Sequence, residues 1–169
     1  GSYHPETLSP LWILAPGSYN APETFLDMSG MMDFAGRHNI VVATLQGKHH
    51  MLNVGLHARS APGQPDDINY TRSVLQKVTQ SLCIDMDRIR CTGFSRGARF
   101  CSRVASELSS FIAGIAAVSG LRFPSPNNAT RPVPVIAFHG TKDRINPYWG
   151  HGDPRYWRAS VDQSVRRWV

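Results

Sequence analysis

Short apolar runs rich in β-branched residues recur along the chain at Leu11–Ala15, Ile40–Leu45, Arg88–Thr92, Ile112–Val118 and Val133–Phe138. Runs of this length, separated by stretches rich in Gly, Pro, Asn or Ser, predict five buried β-strands. Between them the apolar spacing changes to a helical one. A helix is expected over Thr24–Arg37 and another over Asp66–Leu82, where Ile68, Leu75, Val78 and Leu82 share one face and Asp66 and Asp67 suit the first turn. Ala98, Cys101, Ala105 and Leu108 mark a further helix, and Ser160 can cap a last one whose apolar positions Val161, Val165 and Trp168 run to the terminal Val169. Alternation of strand and helix predicts an α/β fold: a mostly parallel sheet in a three-layer αβα arrangement, with residues 1–169 as a single domain.

Composition adds few constraints. With 169 residues, 41% hydrophobic and 18% charged, the chain is an ordinary globular one, which excludes disordered and collagen-like classes. No apolar run approaches the 18 or so residues of a membrane span, so no membrane partner is expected, and Gly1-Ser2 reads as a cloning scar. The net charge of +6 raises the question of an acidic partner. Arg88, Arg90, Arg96, Arg99 and Arg103 form one basic group and Arg155, Arg158, Arg166 and Arg167 another, but neither is interleaved with stacking aromatics. They read as a solvated basic surface, with no nucleic-acid partner. Cys83, Cys91 and Cys101 make neither a zinc spacing nor a CxxC pair; their pairing is open, with one left over. The pair His49-His50 has no carboxylate or cysteine at a ligand spacing, so no metal is expected. Sequons at Asn69-Tyr70-Thr71 and Asn128-Ala129-Thr130 point toward secretion.

One motif carries chemistry. Gly93-Phe94-Ser95-Arg96-Gly97 is a GxSxG between an expected strand and an expected helix, the setting in which a sharp turn lifts a nucleophilic serine out of the backbone. The first glycine permits the turn and the second lets the helix pack close. Ser95 then needs a base and a group to orient that base. Asp143 is the candidate acid: in Phe138-His139-Gly140-Thr141-Lys142-Asp143-Arg144-Ile145-Asn146-Pro147-Tyr148 a strand breaks at His139-Gly140, and Asp143 follows in the loop, two strands after the serine. His139 reads as a structural residue beside that loop. His49, His50 and His57 belong to a loop that could line a pocket, and His4 and His38 have no motif around them.

Together GFSRG and HGTKDRINPY, with SLCIDMDRIRCTGFS leading into the serine and Tyr156-Trp157 before the last helix, resemble the α/β-hydrolase superfamily, in its branch of feruloyl esterases and polyhydroxybutyrate depolymerases. The resemblance implies an α/β-hydrolase sheet lacking its first strands and its last, hence incomplete at both ends. It also implies a triad in the order Ser, Asp, His, with Ser95 as nucleophile and Asp143 as acid. The family's histidine follows a further helix and strand. Here the only histidine after Asp143 is His151, which stands as the substitute base. The oxyanion hole would use the backbone N–H of Arg96 and one from the loop after the first run; that loop reads Ala15-Pro16-Gly17-Ser18 where the family usually has His-Gly, making Ser18 the second donor. Ala98 stands where relatives tend to carry glycine. Arg99 and Arg103 on one side of the following helix fit either an acidic substrate or a polar helix edge.

The activity implied is hydrolysis of carboxylic esters through an acyl-enzyme, on hydroxycinnamate esters or short polyesters, with no cofactor. The absent family histidine supports the alternative of a catalytically silent fragment or binding protein. Exposed sheet edges favour a homodimer that completes the sheet.

Overall fold

In the computed structural model, which describes residues 3–55, 63–151 and 158–169, each apolar run yields a strand. They are β1 (Ser9–Ala15), β2 (Val41–Thr44), β3 (Ile84–Phe94), β4 (Gly114–Val118) and β5 (Val135–Phe138). All pair in parallel in the order β2-β1-β3-β4-β5. A central strand of such a sheet is covered on both faces. In β1, accordingly, Leu11, Ile13 and Ala15 are inaccessible on one face and Leu14 is almost so on the other.

The helices divide between those faces. Helices α3 (Asp67–Ser81) and α4 (Arg96–Glu107) contribute Ile68, Leu75, Phe100, Val104 and Ala105 to one core with Leu11, Ile13, Ile89 and Ile115. Helices α1 (Pro22–Met28) and α2 (Met31–His38) take the Trp12 side, where the Phe34 ring lies 5.6 Å from the indole. This is the three-layer arrangement that the alternating pattern predicts. The single helix expected over Thr24–Arg37 is two, because Gly30 adopts φ 62°, a left-handed conformation that glycine takes without penalty and that turns the chain between them. Strand β3 also starts earlier than its apolar residues suggest. Ser9 pairs with Ile84 and Leu11 with Ile89, so the charged Asp85–Arg88 stretch is an exposed bulge, closed by an Arg88–Asp85 ion pair of 2.6 Å.

The predicted caps form. Asp66 Oδ1 accepts the Asn69 N–H at 3.0 Å, and at α5 (Val161–Trp168) Ser160 and Gln163 complete a reciprocal capping box. Trp168 Nε1 donates to the Arg122 carbonyl at 2.8 Å and packs edge-on against Phe123, which fastens α5 to the segment after β4. At the far edge of the sheet, Ile136 and Phe138 of β5 keep about half of their surface exposed.

The open cysteine question has a definite answer. Cys91 in β3 and Cys101 in α4, both buried, form a disulfide, and Cys83 is free. The bridge spans the strand-to-helix junction that carries Ser95. Its separation of ten residues corresponds to about 3 kcal/mol of unfolded-chain restriction. Replacing both Cys91 and Cys101 by Ala should lower the urea-unfolding free energy by about that amount, whereas Cys83→Ala should change it by less than about 1 kcal/mol.

Candidate active site

Strand order places the site. From β1 the chain crosses outward to β2, and from β3 it crosses the other way to β4, so the loops leaving the ends of these adjacent strands diverge and open a crevice. Ser95 stands at its lip, directly after β3, with φ 53° and ψ −114°. A serine with positive φ outside the usual left-handed well is strained, and neighbouring bonds must hold it there. Its N–H donates to the Val118 carbonyl at 2.8 Å and its carbonyl accepts the Arg99 N–H at 3.1 Å. At Gly97 any Cβ would collide with the Ala15 carbonyl, so the first turn of α4 rests on the last residue of β1. This is the close approach expected of the second glycine.

The two candidate oxyanion donors lie on the loops flanking this crevice. Arg96 opens α4, where the first N–H groups have no intrahelical acceptor. Ser18 is half-buried in the loop after β1. Tyr19 N–H donates to the His50 carbonyl at 3.0 Å, and a Cβ on Gly17 would touch the Phe94 ring, which sets that loop beside the end of β3.

After β5 the acid loop folds around Asp143. Oδ1 accepts the N–H groups of Ile145 at 2.9 Å and Asn146 at 2.8 Å, the turn that an aspartate makes with residues two and three further on. Oδ2 lies 3.6 Å from His139 Nε2, and that nitrogen donates to the Asn146 carbonyl at 2.7 Å. His139, nearly inaccessible, is thus the structural residue the sequence suggests. Tyr148 ties the loop to α5 by donating to Asp162 Oδ1 at 2.9 Å; this bond to a carboxylate pushes the phenol pKa up. His151 is exposed on the surface after Gly150, and the imidazole beside Asp143 is that of His139.

The residue that joins the Asp143 loop to Ser95 is Asn146, which sequence reasoning passed over. Its buried amide donates from Nδ2 to Ser95 Oγ at 3.3 Å and to the Ser119 carbonyl at 2.8 Å, and Oδ1 accepts from Arg99 Nη1 at 2.7 Å. The available signal was an amide side chain three residues past the acid, in a turn closed by Pro147.

Neither reading of the arginine pair survives. Arg99 is buried on Asn146, and Arg103 pairs with Glu107 at 2.5 Å while donating to the Asn53 carbonyl at 2.9 Å. Arg96 and Arg122 make matching bonds to the carbonyls of Leu52, at 2.6 Å, and Val54, at 2.8 Å. Three guanidinium groups from the elbow side therefore grip three successive carbonyls of the loop after β2. The Asn53 N–H, in turn, donates to the buried Asp67 carboxylate at 2.6 Å. Much of the basic group around Ser95 is internal clamp rather than solvated surface. His57 and Arg155 fall outside the described residues; His49 and His50 are exposed.

The family model described as phospholipase/carboxylesterase matches residues 63–152 of this chain. NocK from Nocardia uniformis subsp. tsuyamanensis is 28% identical over 83% of this chain and 42% of its own length. Feruloyl esterase D of Neurospora crassa is 31% identical over 54% of this chain and 31% of its own. The crystal structure of a thermostable esterase superposes with a TM-score of 0.71 at 18% identity, covering 96% of this chain and 45% of that one. The chain spans less than half the length of each of these relatives.

The clamp yields a pH signature. Burial pushes the Asp67 carboxyl above its ordinary 3.8, against the lowering effect of the Asn53 N–H and of Arg103. A carboxyl with a raised pKa in the fold holds its proton more tightly when folded, so its contribution to stability declines as pH rises from the ordinary value through the raised one. Asp67→Asn should lack this decline: in urea unfolding from pH 3 to 7, the variant should gain on the parent as pH rises through that window and keep that gain above it.

Proposed function

We propose that this chain, which belongs to the phospholipase/carboxylesterase family of α/β-hydrolases, hydrolyses carboxylic esters with Ser95 as nucleophile. The observation that carries this reading is the strained Ser95 turn at the head of α4, with an oriented carboxylate, Asp143, one hydrogen-bonded residue away through Asn146. Ser95 Oγ attacks the ester carbonyl carbon and its proton passes to a base. The tetrahedral oxyanion rests on the N–H groups of Arg96 and Ser18. The carbon–oxygen bond to the alcohol then breaks, and the alcohol leaves with that proton. Water repeats the sequence on the acyl-enzyme and releases the acid. Asp143, with Oδ1 saturated by backbone donors and Oδ2 turned away from them, is suited to orient an imidazole. His151 is the imidazole that follows Asp143 in this chain, and it fills the base role in this proposal.

The substrates proposed are hydroxycinnamate esters, ahead of short polyesters. Feruloyl esterase D is among the relatives. Tyr19 and Trp149, on the segments after β1 and β5, and Phe94, the last residue of β3, are exposed aromatics at the Ser95 end of the sheet, and a planar aromatic acid can stack on such rings. A secreted setting is part of the same proposal, supported by the Cys91–Cys101 disulfide. Among the described residues no helix is long and apolar enough to cross a membrane. A second reading, a hydrolase fold that binds esters without turning them over, is favoured by the fact that the hydrogen bond at Ser95 Oγ comes from an amide.

Hydrolysis of methyl ferulate and of p-nitrophenyl acetate tests both readings. The chain should cleave both, with methyl ferulate showing the higher kcat/KM. Ser95→Ala should lower the rate at least ~1,000-fold, and His151→Gln and Asp143→Asn should each lower it at least ~100-fold. Saturable binding of ferulate esters without turnover, unaffected by Ser95→Ala, would establish the second reading instead.

A further inference from the structure

Asn146 uses every polar group it has. Its N–H goes to Asp143, its carbonyl receives His139, Oδ1 receives Arg99, and Nδ2 donates to Ser119 and Ser95. These bonds determine which way the amide faces. If its oxygen and nitrogen were exchanged, oxygen would meet the Ser119 carbonyl and nitrogen would meet the Arg99 guanidinium, an acceptor against an acceptor and a donor against a donor. The atom facing Ser95 Oγ is therefore nitrogen, and Oγ is the acceptor of that contact.

We infer that Asn146, braced by Arg99, is a side-chain hydrogen-bond donor to the Ser95 oxygen that directs its hydroxyl and stabilises its alkoxide. This rests on the reading of Ser95 as nucleophile. A hydroxyl that accepts from one side keeps its own proton for another direction, so the Ser95 proton is turned away from Asn146 and offered to a base approaching from the open crevice. When that proton departs, the N–H already aimed at Oγ meets a full negative charge. A donor strengthens when its acceptor becomes ionised, and the 3.3 Å contact has room to shorten. Arg99 adds to this by drawing electron density toward Oδ1, which makes the opposite N–H groups better donors, in a site where both side chains are buried. Ser119, at φ 51°, holds the amide plane: its carbonyl accepts from Asn146 Nδ2 at 2.8 Å. The arrangement differs from a backbone oxyanion hole: its donor acts on the nucleophile before attack, rather than on the substrate oxygen afterwards.

The test reads reactivity at Ser95 itself. A fluorophosphonate forms an oxygen–phosphorus bond with Oγ as the phosphorus–fluorine bond breaks and the proton passes to water, and intact-mass spectrometry of the whole chain gives the labelling rate from pH 6 to 10. Asn146→Asp keeps an acceptor for Arg99, as an ion pair, but once ionised it presents no N–H to Ser95. It should fold with a lower unfolding midpoint, because its second oxygen meets the Ser119 carbonyl, and label at least ~10-fold more slowly throughout pH 6 to 10. Arg99→Met combined with Asn146→Leu removes both polar partners, so that neither is left buried alone, and should show the same loss across that range. Labelling of either folded variant within about twofold of the parent at pH 8 would overturn the inference. Labelling that depends on Asn146 in a chain without ester turnover would uphold it while refuting the hydrolase reading. Failure of the parent itself to label at Ser95 would refute both.

Discussion

The contact on which the rest of the structure depends is the seating of the first turn of α4 on the last carbonyl of β1. Because Gly97 has no side chain, the helix meets Ala15 at backbone distance, and this leaves the chain only one residue, Ser95, in which to reverse from strand to helix. The strain of that reversal is contained by covalent and hydrogen-bonded neighbours on both sides. Cys91 and Cys101 bridge the strand to the helix behind it, and Val118 receives the Ser95 N–H from the adjacent strand. A conformation that costs an isolated serine on the order of 1–3 kcal/mol is thereby held in place, with its Oγ 3.3 Å from Asn146 Nδ2.

Around this turn the polar chemistry is directed inward. In an ordinary surface helix, arginines at the positions of Arg96, Arg99 and Arg103 would reach into water. Here Arg99 runs from α4 to Asn146, and the other two, with Arg122 from the segment after β4, hold the Leu52–Val54 carbonyls. Bonds from a charged donor to a carbonyl are among the stronger ones available to a fold, about 1.5–3 kcal/mol each. They fix a loop that has little regular structure of its own. Asp67 supports the same loop from α3, at the expense of a carboxyl held above its usual range. The positive charge visible in the composition is thus partly structural.

The acid loop follows the same logic. His139, Asp143 and Asn146 form a closed set of bonds in which the acid is oriented by backbone, the imidazole by a carbonyl, and the amide by an arginine from another element. Tyr148 and the Val161 N–H carry this order onward to the start of α5. A single asparagine is the point at which loop, helix and Ser95 meet.

The parts of this picture legible in the amino-acid sequence are those whose causes are local. Five apolar runs specified five strands, Asp66 and Ser160 specified helix starts, and the spacing of Gly93, Ser95 and Gly97 specified the turn, because each depends on residues a few positions apart. Where local patterns misled, a local feature was responsible: Gly30 divided one expected helix, and the charged bulge at Asp85–Arg88 hid the start of β3. Only the tertiary structure decided that Cys91 pairs with Cys101, that Arg99 faces Asn146 across 47 positions, and that three arginines grip one loop. The sheet order β2-β1-β3-β4-β5 determines which segments meet. A buried polar side chain then takes whichever partner that meeting supplies, since leaving it without one costs more than any preference written in its neighbours.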